Sequence, residues 1–99
     1  VKKAAVLKHP EDYALQELEY TRQVSAKRYM KIASDEDVKS IAVRQHPRDY
    51  AKQKSEYDRQ RSAKQYMRGL ISSGAKRKAE RTYPDDYAMQ KSAYDRSVN

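Results

Sequence analysis

His9 and His46 are the only histidines, and they stand 37 residues apart, each directly before a proline. An imidazole pair would suit a metal ion or general acid–base work. The matching position 37 residues further on is Tyr83, which cannot replace a neutral imidazole ligand. The spacing therefore predicts turn or capping residues, and no metal site. Asp12, Asp49 and Asp86 recur at the same interval, two residues after Pro10, Pro47 and Pro84. Set in the first turn of a helix, they would face the positive end of its dipole, which accounts for them without catalysis. Cysteine is absent, and no serine has a base beside it on a sharp turn. Gly69 and Gly74 are the only glycines, too few for a phosphate-cradling loop. We expect no enzyme and no cofactor.

The side chains that remain are suited to association. Tyr13, Tyr50 and Tyr87 recur every 37 residues, as do Tyr20, Tyr57 and Tyr94, and Arg22, Arg59 and Arg96; Tyr29 pairs with Tyr66. Tyrosine and arginine are enriched where protein surfaces meet. These eleven residues form the expected partner-binding set.

The elements that must position them are tandem repeats. HPEDYALQELEYTRQVSAKRYMK from His9 matches HPRDYAKQKSEYDRQRSAKQYMR from His46, and YPDDYAMQKSAYDR from Tyr83 opens a third, partial copy. Identity this dense, in constant register, is the signature of a repeat protein. Repeat 1 is placed at residues 1–36, repeat 2 at 37–73 and partial repeat 3 at 74–99. The third copy lacks the Ser-Ala-Lys and Tyr-Met half. Proline suits a first helical position, because its missing N–H is not needed there. The residues after it are good helix formers. Long helices are thus predicted over residues 10–33 and 47–71, and from 84 to near the end. Ser34-Asp35-Glu36-Asp37 looks like a cap with an acidic first turn, and Ser72-Ser73-Gly74 like a break. A short helix follows each, and residues 2–8 would be the first of that kind. The fold class is all-α: tandem 37-residue repeats of a short and a long helix, stacked as hairpins or extended as one kinked helix.

At 100° per residue, Glu17, Thr21, Val24 and Arg28 share an arc whose counterparts Lys54, Asp58, Arg61 and Gln65 differ in type. That arc is read as the solvent face. Tyr13, Gln16, Tyr20, Gln23, Lys27 and Met30 form a stripe that recurs 37 residues later. Gln and Lys make a poor dry core, which points to a wet contact. A second recurring stripe holds Ala14, Arg22, Ser25, Ala26 and Tyr29. One stripe is expected to pack within the protein, through Ala and Met, and the one bearing Tyr and Arg to face a partner.

Composition bounds the partner. The net charge is +8 with no Phe and no Trp, and the isoelectric point is about 9.7. A sparse aliphatic content limits apolar burial, so marginal stability is expected. A basic chain is steered to acidic surfaces. No apolar run approaches the roughly 20 residues of a membrane helix, so membrane insertion is not expected. The period is near that of tetratricopeptide repeats, but their Trp, Leu and Gly pattern is missing. The adjacent Asp12-Tyr13 departs from the Asp-x-x-Tyr-like motif of nebulin-type repeats. The expected function is an intracellular basic linker or scaffold that binds repeated sites on an acidic protein oligomer, filament or multi-subunit assembly. The alternative is a helical repeat that binds DNA or RNA, with tyrosines stacking on bases.

Overall fold

The computed structural model describes residues 12–98. His9, Pro10 and the short helix expected over residues 2–8 lie outside them. Five α-helices and no strand are found among the described residues: α1 Tyr13–Ile32, α2 Glu36–Gln45, α3 Tyr50–Gly69, α4 Gly74–Thr82 and α5 Tyr87–Val98. The protein is all-helical.

The long helices start three residues later than the prolines suggest. Asp12 is the N-cap of α1, in extended backbone, and its Oδ1 accepts from Leu15 N at 3.0 Å. Asp49 and Asp86 do the same for Lys52 N and Met89 N, each at 3.0 Å. The aspartate is therefore the cap itself, because its oxygen satisfies an N–H that the first turn leaves unpaired. Pro47 and Pro84 sit in the preceding turns, which Asp49 N→His46 O at 3.3 Å and Asp86 N→Tyr83 O at 3.4 Å close. Proline pre-sets the backbone angle that the second turn residue needs. His46 thus contributes its carbonyl, which Tyr83 supplies equally well. Asp35 and Ser73 cap the short helices, accepting from Val38 N and Lys76 N. Glu36 and Asp37 supply the acidic first turn of α2.

The chain divides into two compact units, Val1–Glu56 and Tyr57–Asn99. In the first, α1 does not run on toward α3 as one kinked helix. Continuous helix would set residues 23 and 50 about 40 Å apart at 1.5 Å per residue, whereas Gln23 Oε1 accepts from Tyr50 N at 2.8 Å. Its buried apolar residues are Ala26, Met30, Val38, Ile41, Ala42 and Ala51. In the second unit α4 packs against α5. Tyr57, Ala63, Met67, Ala79 and Ala88 are buried there. With so much of either set alanine, the apolar contribution is modest, since burying a large aliphatic side chain is worth roughly 1.5–3 kcal/mol and alanine much less.

A buried glutamine supplies what the aliphatics do not. Gln23 is fully buried. Its Nε2 donates to Glu19 Oε1 and to Asp49 Oδ1, each at 2.9 Å. Its Oε1 accepts from Tyr50 N and from Ala51 N at 3.3 Å. With Lys52 N on Asp49, three N–H groups at the start of α3 are paired. Gln60, 37 residues on and also fully buried, donates to Asp86 Oδ1 at 2.8 Å and accepts from Ala88 N at 3.1 Å. Gln53 Nε2 donates to His46 O at 2.8 Å, and Gln90 Nε2 to Tyr83 O at 2.7 Å. Among the described residues no buried side-chain polar atom lacks a partner.

Candidate anion-binding grooves

In the second unit, α3 and α5 leave a groove of about 320 Å³ lined by Arg59, Ser62, Ala63, Ala88, Lys91 and Ser92. The alanines are buried and form the floor, while Arg59, Ser62 and Ser92 are exposed along the rim. Lys91 Nζ lies 5.0 Å from the centre of the Tyr66 ring and 3.8 Å from Asp95 Oδ2. A cation over an aromatic face is attracted by the ring quadrupole, which together with Asp95 restrains the lysine. Tyr66 Oη donates to Asp95 Oδ1 at 2.9 Å. That bond raises the Tyr66 pKa above its ordinary value, with burial and the charge of Asp95 adding to it. Tyr94 meets the Tyr66 ring edge-on, with centres 6.4 Å apart.

Positions 37 residues earlier carry the same six residue types: Arg22, Ser25, Ala26, Ala51, Lys54 and Ser55. The first unit buries its two alanines as well and exposes the other four. Lys54 Nζ stands 5.0 Å over Tyr29, as Lys91 stands over Tyr66. Arg22 pairs with the buried Glu19 at 3.4 Å, and its own side chain stays 59% exposed. A guanidinium, an ammonium and two hydroxyls above an apolar floor can bind one carboxylate or phosphate group by charge-assisted hydrogen bonds.

A further groove, of about 330 Å³, brings Lys27, Lys31 and Lys39 around Tyr50 and Gln53 in the first unit. Lys27 Nζ stands 5.7 Å over Tyr50, and in the second unit Lys64 stands 5.5 Å over Tyr87. Lys76, the counterpart of Lys39, is engaged, donating to Leu70 O at 3.2 Å.

The structure divides the eleven residues expected to meet a partner. Tyr13, Tyr20, Arg22, Arg59, Tyr66 and Arg96 are exposed. Tyr29, Tyr50 and Tyr87 are half-buried beneath lysines, and Tyr94 is half-buried against Tyr66. Tyr57 is buried and offers no ring to solvent. Sequence reasoning placed Ser25 on a recurring stripe but missed Ser55, Ser92, Lys91 and Lys54, the last of which lay on the arc read as solvent. Lys54 aligns with Glu17 in the first copy, but Lys54-Ser55 and Lys91-Ser92 match in the second and third. That pair was the available signal.

No helix among the described residues is long and apolar enough to cross a membrane. No protein-family model, curated protein or solved structure matches this chain.

Proposed function

We propose that this protein is a non-enzymatic basic scaffold built of tandem 37-residue helical repeats, whose Arg-Ser/Lys-Ser grooves take carboxylate side chains on a repeated acidic protein surface. The observation that carries this reading is the groove itself. Arg59, Ser62 and Ser92 are exposed, as are their counterparts Arg22, Ser25 and Ser55, where packing does not dictate residue type, yet all six types recur. Lys91 and Arg22 each have an acidic neighbour, Asp95 and Glu19, and a guanidinium or ammonium with several N–H donors can serve a second carboxylate as well. Two such sites on one chain add through effective concentration, so each contact can be weak. The buried glutamines and lysine-capped tyrosines that recur at the same interval support the repeat architecture.

A nucleic-acid reading has one observation in its favour. Helix α4 carries Lys76, Arg77, Lys78 and Arg81 against a single acid, Glu80. The protein reading is preferred because acids are interleaved elsewhere, as at Glu36, Asp37, Asp58 and Asp95. A phosphate lattice favours a purer basic face.

The test is titration of the full chain with poly-L-glutamate and, separately, with random-sequence DNA at equal salt. Arg59→Glu with Lys91→Glu is expected to weaken poly-L-glutamate binding about tenfold, and adding Arg22→Glu with Lys54→Glu to abolish it. Tight DNA binding that survives all four changes, with no binding of poly-L-glutamate, would replace this reading with the nucleic-acid one.

A further inference from the structure

The first turns of α3 and α5 are covered. Ala51 is 6% and Ala88 7% exposed, and Gln53 and Gln90 are buried. Tyr50 and Tyr87 lie half-buried under their lysines. Helix α1 opens with the same Asp-Tyr-Ala order, at Asp12, Tyr13 and Ala14. Here Tyr13 is 83% exposed and Ala14 is exposed. Within α1 itself, Gln16 N donates to Asp12 O at 2.9 Å and Leu15 N to Asp12 Oδ1 at 3.0 Å.

The uncovered turn differs from its counterparts in kind. Leu18 stands where the others have Ser55 and Ser92, and Leu15 where they have Lys52 and Met89. Both leucines are exposed, Leu18 by 66%. Glu17 replaces the groove lysines Lys54 and Lys91. In the second unit, a guanidinium and an ammonium line one groove and leave room for an anion. With an acid in the lysine's place, an incoming arginine would be neutralised directly. The face at α1 is thus apolar, acidic and self-completing, suited to a helix and not to a small anionic group.

We propose that the start of α1 is a docking socket for a separate helix of the α1 and α3 type, one carrying the adjacent Arg-Gln of Arg22-Gln23 and Arg59-Gln60. Its glutamine amide would take the role of Gln23, donating to Asp12 and accepting from the N–H groups of Tyr13 and Ala14. Its arginine would pair with Glu17, and its apolar side chains would cover Tyr13, Leu15 and Leu18. A second copy of this chain is a poor source. Gln23 and Gln60 are both engaged, and Ser97 holds the third such position, donating to Ala93 O of its own helix at 3.0 Å. The inference does not depend on the scaffold reading.

The test adds a labelled peptide of residues 13–33 to the full chain and follows fluorescence anisotropy. Saturable one-to-one binding is expected. Gln23→Ala in the peptide, or Leu18→Lys in the full chain, is expected to weaken it about tenfold or more. Glu17→Lys in the full chain should do likewise, and Arg22→Glu in the peptide should restore binding to that variant. Absence of binding, or binding indifferent to all of these changes, overturns the proposal. Leu18→Lys leaves both cationic grooves intact, so poly-L-glutamate binding should persist and keep the two readings separable.

Discussion

The two units share their polar contacts and differ in their aliphatic ones. Gln23 and Gln60, Asp49 and Asp86, Gln53 and Gln90, and Lys27 and Lys64 are identical pairs making matched bonds or stacks. The short helices have diverged. Helix α2 buries Val38, Ile41 and Ala42, whereas α4 buries only Ala79. Ala75, Lys78 and Glu80 occupy the positions of Val38, Ile41 and Val43. Charge follows the same division: residues 12–56 hold nine Lys and Arg against eight Asp and Glu, a net of +1, and residues 57–98 hold ten against five, a net of +5. In most domains the apolar core is the constrained part. Here the directional bonds are kept and the non-directional contacts vary, as expected where a buried amide must meet a fixed set of helix N–H groups.

The strongest way to break that comparison is to remove the shared glutamine. Gln23→Ala strands the N–H groups of Tyr50 and Ala51 in a buried site and removes one donor each from Glu19 and Asp49, which keep Arg22 and Lys52 N. Each buried group left unsatisfied costs about 1–3 kcal/mol, so a total of about 3–5 kcal/mol is expected. Gln60→Ala should cost a similar amount. Urea unfolding followed by circular dichroism measures both. A cost below about 1 kcal/mol for either would show that water replaces the amide and that the junction does not rest on it.

The next test bears on the aliphatic difference. Ile41→Ala is expected to cost about 2–3 kcal/mol, as a large side chain removed from a buried site. Lys78→Ala, at the matching exposed position of α4, should stay within about 0.5 kcal/mol. The same contrast predicts that the amides of α4 exchange with solvent before those of α2 in native-state hydrogen exchange, because fewer apolar contacts hold α4 closed. Equal protection of the two helices would mean that the packing of α4 on α5 compensates for its missing aliphatics.

How far this was readable from sequence follows from the kind of interaction. Helix-forming residues, the breaks at Ser72-Ser73-Gly74 and the 37-residue spacing are local signals, and the helices came out within a few residues of expectation. The glutamine stripe was visible, but its use was not. Gln and Lys were set against a dry core, and the periodicity of one helix says nothing about the unpaired N–H groups of the next. Asp49 lies 26 residues from Gln23, and only the turn at Pro47 brings it back. Tyr57 shows the same limit. It repeats in register with Tyr20 and Tyr94 and was grouped with them, yet it alone of the three is buried. Identical residues at one sequence interval need not share an environment.

The smallest expected effect concerns Tyr66, whose bond to Asp95 favours the neutral phenol. Its pKa is raised in the folded chain above the ordinary 10.0. The sign follows from linkage: the folded state holds the proton more tightly, so this stabilisation is complete below about pH 10 and is lost as pH rises through the folded pKa. Tyr66→Phe removes both the bond and the titration. Melting temperatures of the two proteins, read from about pH 8 to pH 11, should differ slightly at the lower end, with the native protein higher, and converge at the upper end. A gap that stays constant across the range would mean that the Tyr66 hydroxyl stabilises the second unit without reference to Asp95. Asp95→Asn, which keeps an acceptor but removes the charge, then separates the hydrogen bond from the electrostatic part.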